Sequence, residues 1–503
     1  MSGRRALGKR ALIVGAGIGG LTAAMRLAHA GLEVEVHEKQ PGPGGRCGRV
    51  EFDGFRFDLG PTILLMPHVL RDVWASVGRK LEDYLKLQRC DPHYLVHYRD
   101  GSRFTLWSDP PKMDAELERL EPGSATRYRD FLRDGRTQHD TAFASFVTRH
   151  FDSVAQFLAP RNVPALFQAG AHRRLWAHVS RYFKDPRILQ ALSFQSMYLG
   201  LSPMDAPSTF SLLPYTEAQH GIWFPEGGLH AVALALEQVC REEGVRFHYG
   251  SAVRSVVVEN GAATGLELEG GELRRGDLVL CNADHAWGVE HLLPQPLAAR
   301  RSAQIQRKRF TSSGLMLYLG LSRKVEGLFH HNVFFGDDFE GSFTDIFDRG
   351  RVPSDVSFYV SAPSRTGEGF APPGKDALYV LVPVPHRDGS HDWSVEGPKV
   401  RAQVLARLAA EGYGNLTPLI EAERILTPDD WETDLNLSRG SNFGLSQSLF
   451  QLGPFRPKVS DPDIRQLYWC GASIQPGTGV PTVMLSAGFA VDAMLASAGA
   501  LRS

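Results

Sequence analysis

Ala11-Leu12-Ile13-Val14-Gly15-Ala16-Gly17-Ile18-Gly19-Gly20, with Glu33-Val34-Glu35-Val36-His37-Glu38 a short way on, decides the fold. The first four residues are a continuous apolar run, as a parallel strand buried on both faces requires. Glycines follow at once. Residues 21–30 then place Leu21, Ala24, Met25 and Leu27 on one helical face, and Gly31 stands where a helix C-terminal glycine belongs. Residues 33–38 alternate like a second strand. Gly15 permits the tight turn, Gly17 lets backbone approach a pyrophosphate, and Gly20 lets helix and strand pack closely. The helix N-terminus offers N–H groups and a positive dipole end to phosphates. Glu38 ends the second strand, eighteen residues beyond Gly20. An acid there accepts hydrogen bonds from ribose hydroxyls and repels a 2′-phosphate. The fold class is therefore α/β, with a Rossmann-type dinucleotide domain.

NAD and FAD share this fingerprint. Pro41-Gly42-Pro43-Gly44-Gly45-Arg46 comes directly after Glu38. A Gly-Gly-Arg at that place resembles the extended motif of the two-domain FAD oxidoreductases. The resemblance implies FAD as the cofactor, with Gly44 and Gly45 beneath the flavin and Arg46 near the phosphates. Gly60-Pro61-Thr62, after Phe57-Asp58-Leu59, is a further close-approach loop, which in that superfamily lies near the flavin ring. Such a domain is discontinuous. One return starts at Pro225-Glu226-Gly227-Gly228-Leu229, with a helix over residues 230–243, a strand over 245–249 and a β-ribbon over 253–258 and 264–268. A buried strand from Leu278 then opens into Asn282-Ala283-Asp284. The resemblance makes Val253 the residue whose backbone meets the adenine. The other return is a strand from Leu467, a loop holding Gly471 and Ala472, and a helix that starts after Gly479, at Val480. That loop aims backbone N–H groups at an anion or a flat ring.

The C-terminal run Gly471-Ala472-Ser473, Pro476-Gly477, Gly479, Pro481 and Ser486 resembles the signature of the bacterial carotenoid desaturases, the phytoene and dehydrosqualene (diapophytoene) desaturase family. Residues 60–67, 194–200, 207–208 and 331–339 extend the resemblance over nearly the whole chain, and their details lean toward the diapophytoene branch. One departure stands at Ile474-Gln475, where the family has Thr-His; Gln475 can donate a hydrogen bond but cannot take up a proton near neutral pH. The resemblance implies an FAD-dependent desaturase acting on a long-chain isoprenoid, a carotenoid precursor. Hydride goes to the flavin and a proton is lost. No catalytic triad or metal cluster stands out. Asp58, Asp284 and Glu226 flank the flavin loops and are candidates for a base, and Asp284 also reads as a helix N-cap. A carotenoid isomerase, a terminal-methyl oxygenase and a non-catalytic prenyl-lipid escort are alternatives on the same scaffold.

At 503 residues the chain exceeds one hydrophobic core. The motifs divide it into 8–69, 225–300 and 456–503 as parts of the FAD-binding domain. Residues 70–224 read as a helical substrate and membrane-associating region, and 301–455 as a mixed-sheet substrate region. The sheet runs lie near 314–320, 357–360 and 377–384, with Tyr359 and Pro383-Val384-Pro385 as wall residues of an apolar tunnel. Phe131, Phe143, Phe146, Phe151, Phe157, Phe167, Trp176, Phe183, Phe194 and Phe210, interleaved with Arg161, Arg173, Arg174, Arg181 and Lys184, suit a membrane surface. The basic stretch 1–10 precedes too short an apolar run for a signal peptide, and no eighteen-residue uncharged apolar stretch follows. A net charge of −1 gives no electrostatic reason to bind nucleic acid. Five dispersed cysteines without a CxxC pair fit a reducing cytoplasm. The expected location is cytoplasmic, peripherally associated with a membrane.

Overall fold

The computed structural model describes residues 8–499; most of the basic N-terminal stretch, Arg4 and Arg5 included, lies outside the described residues. Five parallel strands form one sheet, in the spatial order Leu467–Trp469, Leu278–Cys281, Arg10–Val14, Glu33–Glu38 and Arg246–Tyr249. Three distant stretches of sequence thus meet side by side. The apolar run behaves as its composition demands, with Ala11, Leu12 and Ile13 fully buried between layers. Helix Ile18–His29 packs against helices His230–Glu242 and Val480–Ser497. It starts three residues before the first residue of its apolar stripe because Gly17 is already the extended N-cap. Gly20 then lies in the first turn, and a Cβ on it would sit 2.1 Å from the Gly15 carbonyl oxygen. Any side chain at Gly20 therefore lifts the helix off the strand–helix turn.

A second, mixed sheet has seven strands: Ile420–Leu426, Ser313–Leu321, Asp376–Val384, Phe358–Ser361, His331–Phe334, Tyr94–His97 and Arg103–Leu106, in that order. Three of them match the expected runs. Period-two alternation gives the sheet two faces. Leu315, Leu317, Leu319, Val380, Val382 and Val384 pack with Val400, Val404 and Leu408 of helix Trp393–Leu408. Met316, Tyr379, Leu381 and Pro383 face a large internal cavity. Tyr359 and Pro383 are wall residues as expected, but Val384 belongs to the opposite face by the same alternation, and neither it nor Pro385 lines the cavity.

Residues 70–224 hold helices, chiefly Pro110–Leu120 and Ser124–Ala142. They also supply two strands to the seven-stranded sheet, one of which, Tyr94–His97, runs parallel to His331–Phe334. That strand is buried at every residue, so it carries no polar alternation to mark it. The aromatic set divides as well. Phe131, Phe151, Phe183 and Phe194 are buried core, whereas Phe167 is exposed. Among the described residues one helix, Val480–Ser497, is long and apolar enough to cross a bilayer by length and composition. It packs on helices Ile18–His29 and Pro67–Ala75, and its Asp492 pairs with Arg26.

Candidate active site

The cavity, about 1400 Å³ in volume, runs between the two sheets. One end is built of backbone. Gly15, Gly17, Gly44, Gly45 and Arg46 line it together with Glu38 and Asn282. A Cβ on Gly17 would lie 2.8 Å from Asn282 Nδ2, so the turn has no room for a side chain and presents bare peptide. The N-cap of helix Ile18–His29 makes no side-chain hydrogen bond, which leaves first-turn N–H groups for an anion. Glu38 is held in place by two amides: Ala16 N donates to Oε2 at 2.7 Å and Gln40 N to Oε1 at 2.9 Å. Burial pushes its carboxyl upward while those amides pull it back. Val253, Glu269 and the 434–437 segment complete this end. That segment is tied in by Lys39 Nζ, which donates to Asn436 Oδ1 at 2.9 Å, and by Gln40 Nε2, which donates to the Asp434 carbonyl at 2.6 Å. Bare peptide, a free helix N-terminus and an oriented acid together fit a dinucleotide with a free ribose diol.

The middle of the cavity is walled by Gly60, Pro61 and Thr62 on one side and by the C-terminal loop on the other. Tyr318 and Tyr379 donate their hydroxyls to the carbonyls of Leu59 and Gly60, at 2.6 and 2.5 Å, so the second sheet fixes this loop. Thr62 Oγ1 and the Tyr359 hydroxyl lie 2.9 Å apart, and His331 Nδ1 meets the same hydroxyl at 2.6 Å. Arg46 is buried. Its Nη1 donates to the Asn442 carbonyl at 2.9 Å, and it faces Asp284. Gly471, Ala472, Gly479 and Val480 line the opposing wall. Gly479 has φ +113°, a conformation L side chains resist, and it caps the helix whose first turn opens on the cavity.

Two residues hold this loop, Arg456, which the motifs do not mark, and Gln475, which they mark only as a departure. Arg456, buried among carbonyls, donates to Ala472 O at 2.5 Å and to Ile474 O at 3.2 Å; burial brings its guanidinium down to about 9. Nothing local in sequence marks it, because its partners are backbone. Gln475 forms a paired amide contact with Phe151: Phe151 N donates to Oε1 and Nε2 donates to Phe151 O, both at 2.9 Å. The departure from Thr-His thus has a structural use, since an amide mirrors a peptide and an imidazole does not. Gly477, by contrast, backs onto Gln447 and does not reach the cavity wall.

Fourteen of the fifteen site residues picked out from motifs line the cavity; Gly20 stands behind it as a packing residue. The three candidate bases part company. Asp58 lies off the cavity and accepts from His230 N at 3.0 Å at the start of helix His230–Glu242, burial raising it to about 6. Glu226 is a surface residue near Lys86. Asp284 does line the cavity, and it caps helix His285–His291 through Trp287 N; burial raises its carboxyl against the pull of Arg46.

Beyond the loops the wall becomes apolar: Phe146, Phe194, Met197, Phe210, Phe335 and Phe343 among others. At its outer limit the rim carries Leu158, Val163, Phe167, Leu449 and Phe450, all exposed, Phe450 at 78%. A cavity larger than the usual range for one small ligand has room for a cofactor and a second long apolar molecule.

Fold and site together define an oxidoreductase that holds a dinucleotide cofactor against a buried hydrocarbon-lined chamber. Residues 18–495 match the flavin containing amine oxidoreductases. A zeta-carotene-forming phytoene desaturase from Myxococcus xanthus is 53% identical over 97% of this chain and 94% of its own. A 4,4′-diapophytoene desaturase (4,4′-diapolycopene-forming) from Methylomonas sp is 37% identical over 95% and 94%. Among solved structures, an oxidoreductase from Methanosarcina mazei superposes with a TM-score of 0.65 at 19% identity, covering 95% of this chain and 99% of that one. The chain belongs to the flavin-containing amine oxidoreductases and, within them, to the carotenoid desaturases. Its cofactor is FAD. The two identities run against the lean toward the diapophytoene branch: short motifs are shared by both branches, and the full-length comparison weighs every position.

Proposed function

We propose that this enzyme desaturates phytoene, in steps that each remove two hydrogens from adjacent saturated carbons, and that it draws its substrate from a membrane surface. The observation that carries the substrate is the 53% identity, over nearly both whole chains, to a zeta-carotene-forming phytoene desaturase. FAD, when bound, supplies the hydride acceptor. The chain's own residues do the rest. Glu38 and the glycine turn hold the dinucleotide, and the Gly60–Thr62 and 471–480 walls narrow the middle of the chamber. The N-terminus of helix Val480–Ser497 presents a positive dipole end that favours negative charge there. The phenylalanine-rich wall aligns an extended hydrocarbon and excludes water.

The exposed apolar rim, Leu158, Val163, Phe167, Leu449 and Phe450, supports peripheral membrane contact at the cavity mouth. Arg161, Arg173 and Arg174 are exposed nearby in sequence and can meet lipid phosphate. All five cysteines are free and buried, which suits a cytoplasmic setting.

Expression in hosts that make either thirty- or forty-carbon precursors tests the reading. The expected result is conversion of the forty-carbon precursor to a product lighter by two hydrogens per step. A product of unchanged mass would make the enzyme an isomerase, and one with added oxygen an oxygenase.

A further inference from the structure

Desaturation releases a proton as well as a hydride, and the proton needs an acceptor. Four carboxylates line the cavity: Glu38, Glu269, Asp284 and Asp434. All four serve the cofactor end. Glu38 is bound by the Ala16 and Gln40 amides, Asp434 belongs to the segment that Gln40 anchors, Glu269 lies just past the ribbon beside Val253, and Asp284 faces Arg46 as a helix cap.

A fifth carboxyl is wired to the apolar end. Glu217 sits on helix Leu212–His220, whose Leu212 and Leu213 line the chamber. Its side chain is 2% exposed, and among the described residues no Lys, Arg or His stands within ion-pair distance of it. Instead it meets hydroxyl and amide donors. Tyr94 donates to Oε1 at 3.1 Å and Gln195 Nε2 donates to Oε2 at 3.1 Å. The Tyr198 hydroxyl donates in turn to the Tyr94 hydroxyl. Tyr198 lines the chamber, among Phe194, Met197 and Leu199, whereas Tyr94 is fully buried behind it. A buried carboxylate with no cation beside it is costly in a hydrocarbon enzyme, and here only hydroxyl and amide donors meet it.

Resting on the desaturase reading, we infer that Tyr198, Tyr94 and Glu217 form the route by which the substrate's proton leaves the chamber. As hydride departs to FAD, the C–H bond on the neighbouring carbon breaks, and its electron pair becomes the second bond of the new alkene. The proton joins the Tyr198 oxygen while the proton of Tyr198 passes to Tyr94 and that of Tyr94 to Glu217, which ends as the neutral acid. Tyr198 is the catalytic residue of this route and Glu217 its terminal acceptor. Burial already places the Glu217 carboxyl near neutrality, at about 7, so it can both take and return a proton at working pH. The titratable groups that face it are Tyr94, Tyr198 and, more distantly, Tyr128 of helix Ser124–Ala142; each is held by burial above its ordinary range and stays neutral there.

The test uses FAD-loaded protein with phytoene in liposomes, follows flavin bleaching without oxygen, and scans pH. Wild-type rate should rise with pH through about 7, as the carboxylate form appears. Glu217→Gln keeps the shape, removes the ionisable group and still accepts at one oxygen; it should retain flavin, react roughly 100-fold slower and lose the pH inflection. Tyr198→Phe should do the same, and it decides the matter if Glu217→Gln fails to fold. A second readout needs no turnover: infrared pH-difference spectra of the unreacted protein should contain a carboxylic C=O band titrating near neutrality, absent in Glu217→Gln. Wild type that bleaches and desaturates, beside variants with unchanged rate and unchanged pH profile, overturns the route and leaves the desaturase reading standing. Wild type that does not desaturate phytoene at all defeats the phytoene reading on which the route rests.

Discussion

Replacing Gln475 by the histidine usual in carotenoid desaturases is expected to loosen this protein at the mouth of its cavity. Both partners are buried, Gln475 and Phe151 each at 1% exposure. The amide satisfies Phe151 N–H and C=O together, at 2.9 Å each. A neutral imidazole has one donor and one acceptor on opposite sides of its ring, so it can serve one of these groups and leaves the other orphaned. An unsatisfied buried backbone group costs about 1–3 kcal/mol. Phe151 leads into helix Val154–Phe157, where Phe157 packs on Gly453, so the loss falls on the rim of the chamber. Amide exchange at Phe151, read by hydrogen–deuterium exchange, should quicken by roughly 5- to 150-fold in Gln475→His, at 1.4 kcal/mol per factor of ten. Activity should fall in parallel. If the Phe151 amide exchanges at the wild-type rate, or if the histidine raises activity, the paired amide does not hold the mouth and the reasoning fails.

Glu38→Arg should abolish FAD binding, since an acceptor for the ribose becomes a cation; purified protein would lack flavin absorption, and normal flavin content would refute the placement of the ribose. Gly479→Leu puts a side chain at φ +113°, a strain of about 1–3 kcal/mol, and fills the wall against the chamber. Turnover should drop steeply while flavin is retained, and undiminished desaturation with flavin bound would move the reacting face elsewhere. Phe450→Asp with Phe167→Asp should weaken flotation with anionic liposomes, and wild-type binding should itself weaken as salt rises. Equal flotation of the double variant would place the membrane contact away from this rim.

The glycine-lined end of the cavity is legible because its pattern is local: bare peptide, one helix start and one acid fit within thirty residues, and glycine is the residue that such close approach leaves. The two returns were legible for the same reason, each being a strand running into a glycine-bearing turn. What sequence concealed is made of long-range pairs. Tyr94–His97 is buried on both faces and so shows no period, yet it brings Tyr94 to Glu217 across 123 positions. Arg456 binds backbone carbonyls, which any sequence offers everywhere. Gln475 reads in sequence as a lost histidine, and only the fold sets Phe151 opposite it. The aromatic residues of the helical region looked alike in sequence, and burial separates those that form the core from those at the rim. Val384 stands one position from the wall residue Pro383, which in a strand is a change of face.

The central claim is that an FAD-dependent desaturase aligns phytoene in this chamber, and anaerobic single turnover tests it most directly. FAD-loaded protein is mixed with phytoene in liposomes with no other electron acceptor, and flavin absorbance and product mass are read together. The account predicts that one flavin bleaches for each pair of hydrogens lost, giving a product two hydrogens lighter. Flavin that stays oxidised while phytoene returns at its original mass would contradict it.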